Sequence, residues 1–109
     1  MENVNILIVE DDLSFASLLQ ERLVLLGYSS YDIVSIDAIA DALEVKVEFT
    51  PDVILLDLNI RDSSGIATYD RIQAIFDGAT IIVLSGMDNS ALSLEIVAKG
   101  AQDYLLKNE

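Results

Sequence analysis

Val53-Ile54-Leu55-Leu56-Asp57 is the stretch that decides the fold. Four apolar residues run without alternation and close on an acid, which describes a strand covered on both faces, since a half-exposed strand would alternate with period two. Strands of that kind belong to a parallel sheet enclosed by helices. Two further runs share the character, Ile6-Leu7-Ile8-Val9 and Ile81-Ile82-Val83-Leu84, and they end at Glu10 and Ser85. Weaker strand segments lie near Tyr31 to Val34 and at Asp103 to Leu106. The five recur roughly every 25 residues, room for one strand, one helix and their turns, so the pattern is βα repetition.

Helical periodicity fills the intervals. Phe15, Leu18, Leu19, Leu23 and Leu26 form one stripe, with Gly27 placed to end it. Ile36, Ile39, Ala40, Leu43 and Val47 form a second, with Ser35 as its cap and Thr50-Pro51 as its stop. Ile66, Tyr69, Ile72 and Phe76 form a third. Leu92, Ile96 and Val97 form a fourth, between Asn89 as a cap and Gly100 as a terminator.

The chain has 109 residues, the size of one domain, and nothing in it reads as a linker or a repeat motif. Apolar residues make up 52%, too many for a disordered tail, yet no uninterrupted run approaches a membrane span. Nineteen acids against six bases give a net charge of −13, a field that repels nucleic-acid phosphates and anionic lipid. Zero Cys and zero His exclude disulfides, thiol chemistry, imidazole bases and any histidine phosphate carrier. Met1-Glu2-Asn3 leads straight into the first strand without a signal sequence, which makes a cytoplasmic location the expectation.

In an open parallel sheet, function gathers at the carboxyl ends of the strands. The first run delivers Glu10-Asp11-Asp12 there, the third Asp57 and Asn59, the fourth Ser85 and the fifth Lys107. Converging acids would repel one another when empty, and the hard cation that suits such oxygen ligands is Mg²⁺. With an aspartate nucleophile, an ammonium and a hydroxyl beside them, the natural chemistry is Mg²⁺-assisted phosphoryl transfer. Each residue also has a plainer reading: Asp12 as a helix cap, Asp57 as a strand-ending turn residue, Ser85-Gly86 as a turn, Lys107 as a solubilising charge. Their joint placement after four strands is what those plainer readings explain poorly.

Over nearly its whole length the chain resembles the receiver domains of two-component response regulators, in the manner of the chemotaxis regulator. The resemblance is carried by Ile6-Leu7-Ile8-Val9-Glu10-Asp11-Asp12, by Pro51-Asp52-Val53-Ile54-Leu55-Leu56-Asp57-Leu58 with Gly65 beyond it, by Ile81-Ile82-Val83-Leu84-Ser85-Gly86, and by Gly100-Ala101-Gln102-Asp103-Tyr104-Leu105-Leu106-Lys107. It implies a flavodoxin-like α/β fold, a doubly wound five-stranded parallel sheet of order 2-1-3-4-5. It implies Asp57 as phosphoacceptor, Glu10, Asp11, Asp57 and the Asn59 backbone carbonyl as Mg²⁺ ligands, and Ser85 and Lys107 as contacts to the phosphoryl oxygens. Ser85 and Tyr104 would form the switch, the hydroxyl moving toward the phosphoryl group as the ring turns inward. Implied partners are a histidine kinase or phosphotransfer protein and a downstream output domain. No direct nucleic-acid contact, membrane association or turnover enzymology is expected.

Two positions depart from the family pattern. Arg61 stands where proline usually follows the phosphoacceptor, and Asn108 follows Lys107 where proline is common. Asn59 and Met87 occupy the positions that by resemblance tune phosphoryl lifetime. A phosphorylation-independent interaction module is the rival reading, though such modules typically lack an acid, the hydroxyl or the lysine. A small hydrolase or flavin protein fits less well, since Asn59 replaces the second acid that a hydrolase wants and no Gly-rich phosphate loop is present. Residues 1–109 thus read as a single receiver domain truncated after its fifth strand, lacking the fifth helix of the (βα)5 pattern. One sheet face would then be bare, and the expectation is a fragment that dimerises or swaps elements to cover it.

Overall fold

The computed structural model describes residues 3–86 and 90–107, and residue 90 by its backbone alone. Strands β1 (Ile6–Val9), β2 (Ile33–Ile36), β3 (Val53–Asp57), β4 (Thr80–Ser85) and β5 (Asp103–Leu106) alternate with helices α1 (Leu13–Leu25), α2 (Ala42–Glu48), α3 (Ile66–Ile75) and α4 (Ser90–Ala98). All strand pairs are parallel and the order is β2-β1-β3-β4-β5, the doubly wound sheet expected. Register brings Leu56 beside Val9 and Val83, so the strands finish together and their next residues share one edge.

Side chains alternate across each strand, and the two faces are covered unequally. Leu7, Val9, Ile54, Leu56, Ile81 and Val83 point to the larger layer, where Tyr69 and Ile72 of α3 and Phe76 just past its end pack with Ala42 of α2 and Ile96 of α4. Completely burying a side chain such as Ile72 stabilises by about 1.5–3 kcal/mol. Ile6, Ile8 and Ile33 face the other way, against Ala16, Leu19 and Leu23 of α1. Helix one therefore stands apart from the other three, as the topology requires. Among the described residues no helix follows β5, and a groove of 460 Å³ runs between α1 and the ends of β4 and β5, lined by Phe15, Leu18, Leu84 and Leu105 among others.

Several sequence expectations need correction. Leu18 and Leu26 do not face the core, being 43% and 76% exposed; α1 buries a narrower strip because it rests over β1 and β2 and leaves its other flank to the groove. The second stripe is displaced. Ser35 and Ile36 belong to β2, because strand pairing carries Val9 opposite Ile36 and gives the Ile36 carbonyl to the Glu10 N–H at 3.0 Å. The chain then makes a 3-10 turn at Ile39–Asp41 before α2, and this delay rotates Leu43 and Val47 to solvent. The inward row is Ile39, Ala42, Val45 and Phe49 instead. Likewise Val97 is 45% exposed while Ile96 is buried.

Candidate functional site

Four strand ends deliver the site. The Glu10 N–H extends the ladder one residue beyond β1, which holds the carboxyl inside the protein, 2% exposed. Its Oε2 accepts from the Asp12 N–H at 3.2 Å. Its Oε1 is buried and accepts no well-directed hydrogen bond, and faces the Lys107 ammonium at 2.5 Å as an ion pair. Asp57 closes β3 and is also buried. Its Oδ1 accepts from the Asn59 N–H at 3.0 Å and its Oδ2 from Lys107 Nζ at 2.8 Å.

Lys107 arrives just past β5. Its backbone N–H donates to the Ser85 carbonyl at 2.8 Å, which sets it beside the end of β4. Its ammonium lies 4.9 Å from the centre of the Phe15 ring, a cation–π contact that shields the charge from water. Ser85 is itself buried at the end of β4, opposite Leu106.

Carboxylate oxygens of Glu10, Asp11 and Asp57 lie within 4.8 Å of one another, and Asp11 is the most exposed of the three. Burial pushes the Glu10 carboxyl up to about 7, with the neighbouring Asp57 adding to the rise and Lys107 and the Asp12 N–H opposing it. For Lys107, burial lowers the ammonium's pKa, but its bonds to Asp57 and Glu10 outweigh that and the net shift is upward. Three carboxylates against one ammonium leave two negative charges when all are ionised, the charge that one divalent cation balances. An all-oxygen donor set of three clustered carboxylates fits Mg²⁺.

The structure thus brings Glu10, Asp11, Asp57, Ser85 and Lys107 together. Asp12 stands aside as the cap of α1, its Oδ1 accepting from the Phe15 N–H at 3.1 Å, a contribution of about 1 kcal/mol. Asn59 Oδ1 accepts from the Gly65 N–H at 3.2 Å, so the side chain closes the loop after β3. Gly65 has φ +66°, which favours glycine there. Tyr104 is half-buried and packed against the larger core layer, one strand away from Val83. Met87, Asn89 and Asn108 lie outside the described residues.

Three residues near the site, Asp62, Ser63 and Thr68, were not singled out by sequence. Asp62 reaches from the loop after β3 to accept from the Ile39 and Ala40 N–H groups at 2.9 and 3.0 Å. Arg61, beside it, pairs with Asp37 at 3.2 Å in solvent. Thr68 and Ser63 hydrogen-bond each other at 2.8 Å beneath that loop. The signal for Thr68 was a hydroxyl one turn before Ile72 on an otherwise apolar helix face.

A doubly wound 2-1-3-4-5 sheet carrying this acid, hydroxyl and lysine set at its carboxyl edge is a receiver, and the response regulator receiver domain model matches residues 6–109. The chain belongs to that family. It is similar to the transcriptional regulatory protein ZraR of Escherichia coli K12, 30% identical over 106 residues that make up 97% of this chain and 23% of that protein. It is also similar to the Regulator of RpoS of the same organism, 33% identical over 102 residues, 94% of this chain and 29% of that protein. The chain spans about a quarter of the length of these relatives. Among solved structures, a response regulator from Burkholderia pseudomallei with a phosphorylated aspartic acid, calcium ion and citrate aligns with TM-score 0.82 and 26% identity, over 98% of this chain and 61% of that one. The signal receiver domain of a LuxO repressor homologue from Vibrio parahaemolyticus aligns with TM-score 0.84 and 28% identity, over 99% of this chain and 81% of that one. No described helix is long and apolar enough to cross a membrane.

Proposed function

We propose that this chain takes a phosphoryl group onto Asp57 from a histidine kinase or phosphotransfer protein, in a Mg²⁺-dependent reaction in the cytoplasm, and passes the change to an output domain. The observation that carries the reading is the convergence of Glu10, Asp11 and Asp57 within 4.8 Å, with the Lys107 ammonium 2.8 Å from Asp57 Oδ2. Glu10, Asp11, Asp57 and the Asn59 carbonyl would hold Mg²⁺, which when bound neutralises charge on the phosphoryl oxygens.

An Asp57 oxygen forms the new O–P bond while the donor's N–P bond breaks, and the electron pair leaves with the donor imidazole. The Asn59 N–H on Oδ1 keeps the carboxylate plane fixed during the transfer. Lys107 swings its ammonium from the carboxylates to a phosphoryl oxygen, and the Ser85 hydroxyl moves toward another. The space that Ser85 vacates draws Tyr104 inward from its half-buried position, altering the surface around β5 that partners read. Each chain consumes one phosphoryl group per event, so it acts as a switch and not as a turnover enzyme.

Incubation with acetyl phosphate and Mg²⁺, read by intact mass or a phosphate-affinity gel, tests this. One added phosphoryl group is expected, absent in Asp57→Asn and in EDTA. Stoichiometric labelling of Asp57→Asn at another acid overturns the assignment.

A further inference from the structure

Thr68 is wholly buried on α3, and its hydroxyl takes no part in the carboxylate cluster. Its Oγ1 lies 2.7 Å from the Leu58 carbonyl oxygen and 2.8 Å from Ser63 Oγ. A carbonyl only accepts and threonine has one hydroxyl proton, so Thr68 donates to Leu58 and Ser63 donates to Thr68. Ser63, its proton thus committed, accepts from Arg71 Nη1 at 3.3 Å. Arginine has no acceptor and keeps its charge, which fixes the direction of the whole row from guanidinium to carbonyl.

The row continues beyond that carbonyl. The Leu58 carbonyl and the Asn59 N–H are opposite ends of one planar peptide, and that N–H donates to Asp57 Oδ1 at 3.0 Å. Bonds in series polarise one another, so a peptide held at its carbonyl is both a stronger donor and less free to rock. The loop is shaped for this: Ile60 and Ser63 exchange backbone hydrogen bonds at 2.9 and 3.3 Å, and Ser63 is thereby turned back toward α3.

We propose that Arg71, Ser63, Thr68 and the Leu58–Asn59 peptide form a directed hydrogen-bond chain that orients the Asp57 carboxylate, with Thr68 and Arg71 as positioning residues for the phosphoacceptor. The proposal rests on Asp57 being the phosphoacceptor. The simpler role for Thr68, satisfying one buried carbonyl, needs neither Ser63 nor Arg71.

The test compares wild type with Thr68→Val, Thr68→Ser, Ser63→Ala and Arg71→Gln, by the Asn59 amide proton shift in NMR and by the rate of acetyl phosphate labelling at saturating Mg²⁺. Thr68→Val moves the amide proton upfield and slows labelling about tenfold, while Thr68→Ser restores both to within about twofold. Arg71→Gln, at an exposed position, moves the amide upfield and slows labelling about two- to threefold with an unchanged melting temperature. If Thr68→Val does not fold, Ser63→Ala and Arg71→Gln decide the matter through the same two readouts. An amide that moves in Thr68→Val alone reduces the arrangement to one satisfied carbonyl and overturns the chain. So does an Arg71→Gln protein indistinguishable from wild type in both readouts. Absence of labelling at Asp57 in wild type refutes the phosphoacceptor reading instead, and the amide shifts then judge the chain by themselves.

Discussion

Lys107 meets Asp57 across an intervening strand: the ammonium beyond β5 lies 2.8 Å from Oδ2 at the end of β3, with β4 between them and 50 positions of sequence separating the two. The same ammonium faces Glu10 beyond β1, so one side chain ties three strand ends together. Removing it leaves two buried carboxylates without their cation.

Lys107→Met should therefore destabilise the metal-free protein at pH 8 by about 2 kcal/mol, less than the 3–5 kcal/mol of a wholly buried pair because the lysine side chain is 20% exposed. Urea unfolding measures this, and a loss under about 0.5 kcal/mol would contradict it. The pair's contribution is complete below the ordinary lysine value of 10.5 and is lost as pH rises through the elevated folded value.

Glu10 gives the opposite kind of pH dependence from an ordinary carboxylate. Its folded pKa of about 7 stands above the ordinary glutamate value of 4.5, so the unfolded chain releases the proton first. Stability associated with Glu10 is complete below 4.5 and falls as pH rises toward 7, by about 3 kcal/mol in metal-free buffer. Denaturant midpoints at pH 5, 6, 7 and 8 should decline along that window, and Glu10→Gln should flatten the decline. A Glu10→Gln profile parallel to wild type would remove Glu10 as its source.

Mg²⁺ should raise stability because it binds the folded cluster and not the unfolded chain. At ten times its Kd the gain is about 1.4 kcal/mol. Melting curves at fixed ionic strength test this, and Asp11→Ala should abolish the response, since Asp11 contributes one of the three clustered carboxylates. An Asp11→Ala protein that responds as strongly as wild type would take Asp11 out of the metal site.

Asp62 and Arg61 are neighbours with unequal roles. The Asp62 carboxylate accepts two backbone N–H groups at the turn into α2, and the Ile39 bond leads in holding its pKa below 3.8. Arg61 makes only a solvated pair with Asp37, the kind of contact that contributes little. Asp62→Ala should lower the melting temperature measurably and Arg61→Ala should not. The Asp62 contribution is present above 3.8 and is lost as pH falls through its depressed folded value, so the two variants should converge in acid. Equal melting temperatures of the two variants at pH 7 would refute the difference.

The strand runs Ile6–Val9, Val53–Leu56 and Ile81–Leu84 were readable from sequence because burial on both faces demands continuous apolar residues, and no short helix or loop needs that. Asp12 as a cap and Gly27 and Gly100 as terminators were readable for a similar reason, since capping chemistry is local. The acids, hydroxyl and lysine of the site could be enumerated from strand ends alone. Tertiary structure decided what depended on partners distant in sequence. β2 keeps Ser35 and Ile36 because β1 pairs with them, and that pairing shifts the apolar row of α2 from Leu43 and Val47 to Ala42 and Val45. The burial that lifts Glu10, the hold of Asp62 on Ile39 and Ala40, and the row from Arg71 to the Leu58 carbonyl likewise exist only once loops far apart in sequence are folded together. Periodicity records which face of an element is apolar, whereas hydrogen-bond direction and desolvation are properties of the assembled surroundings.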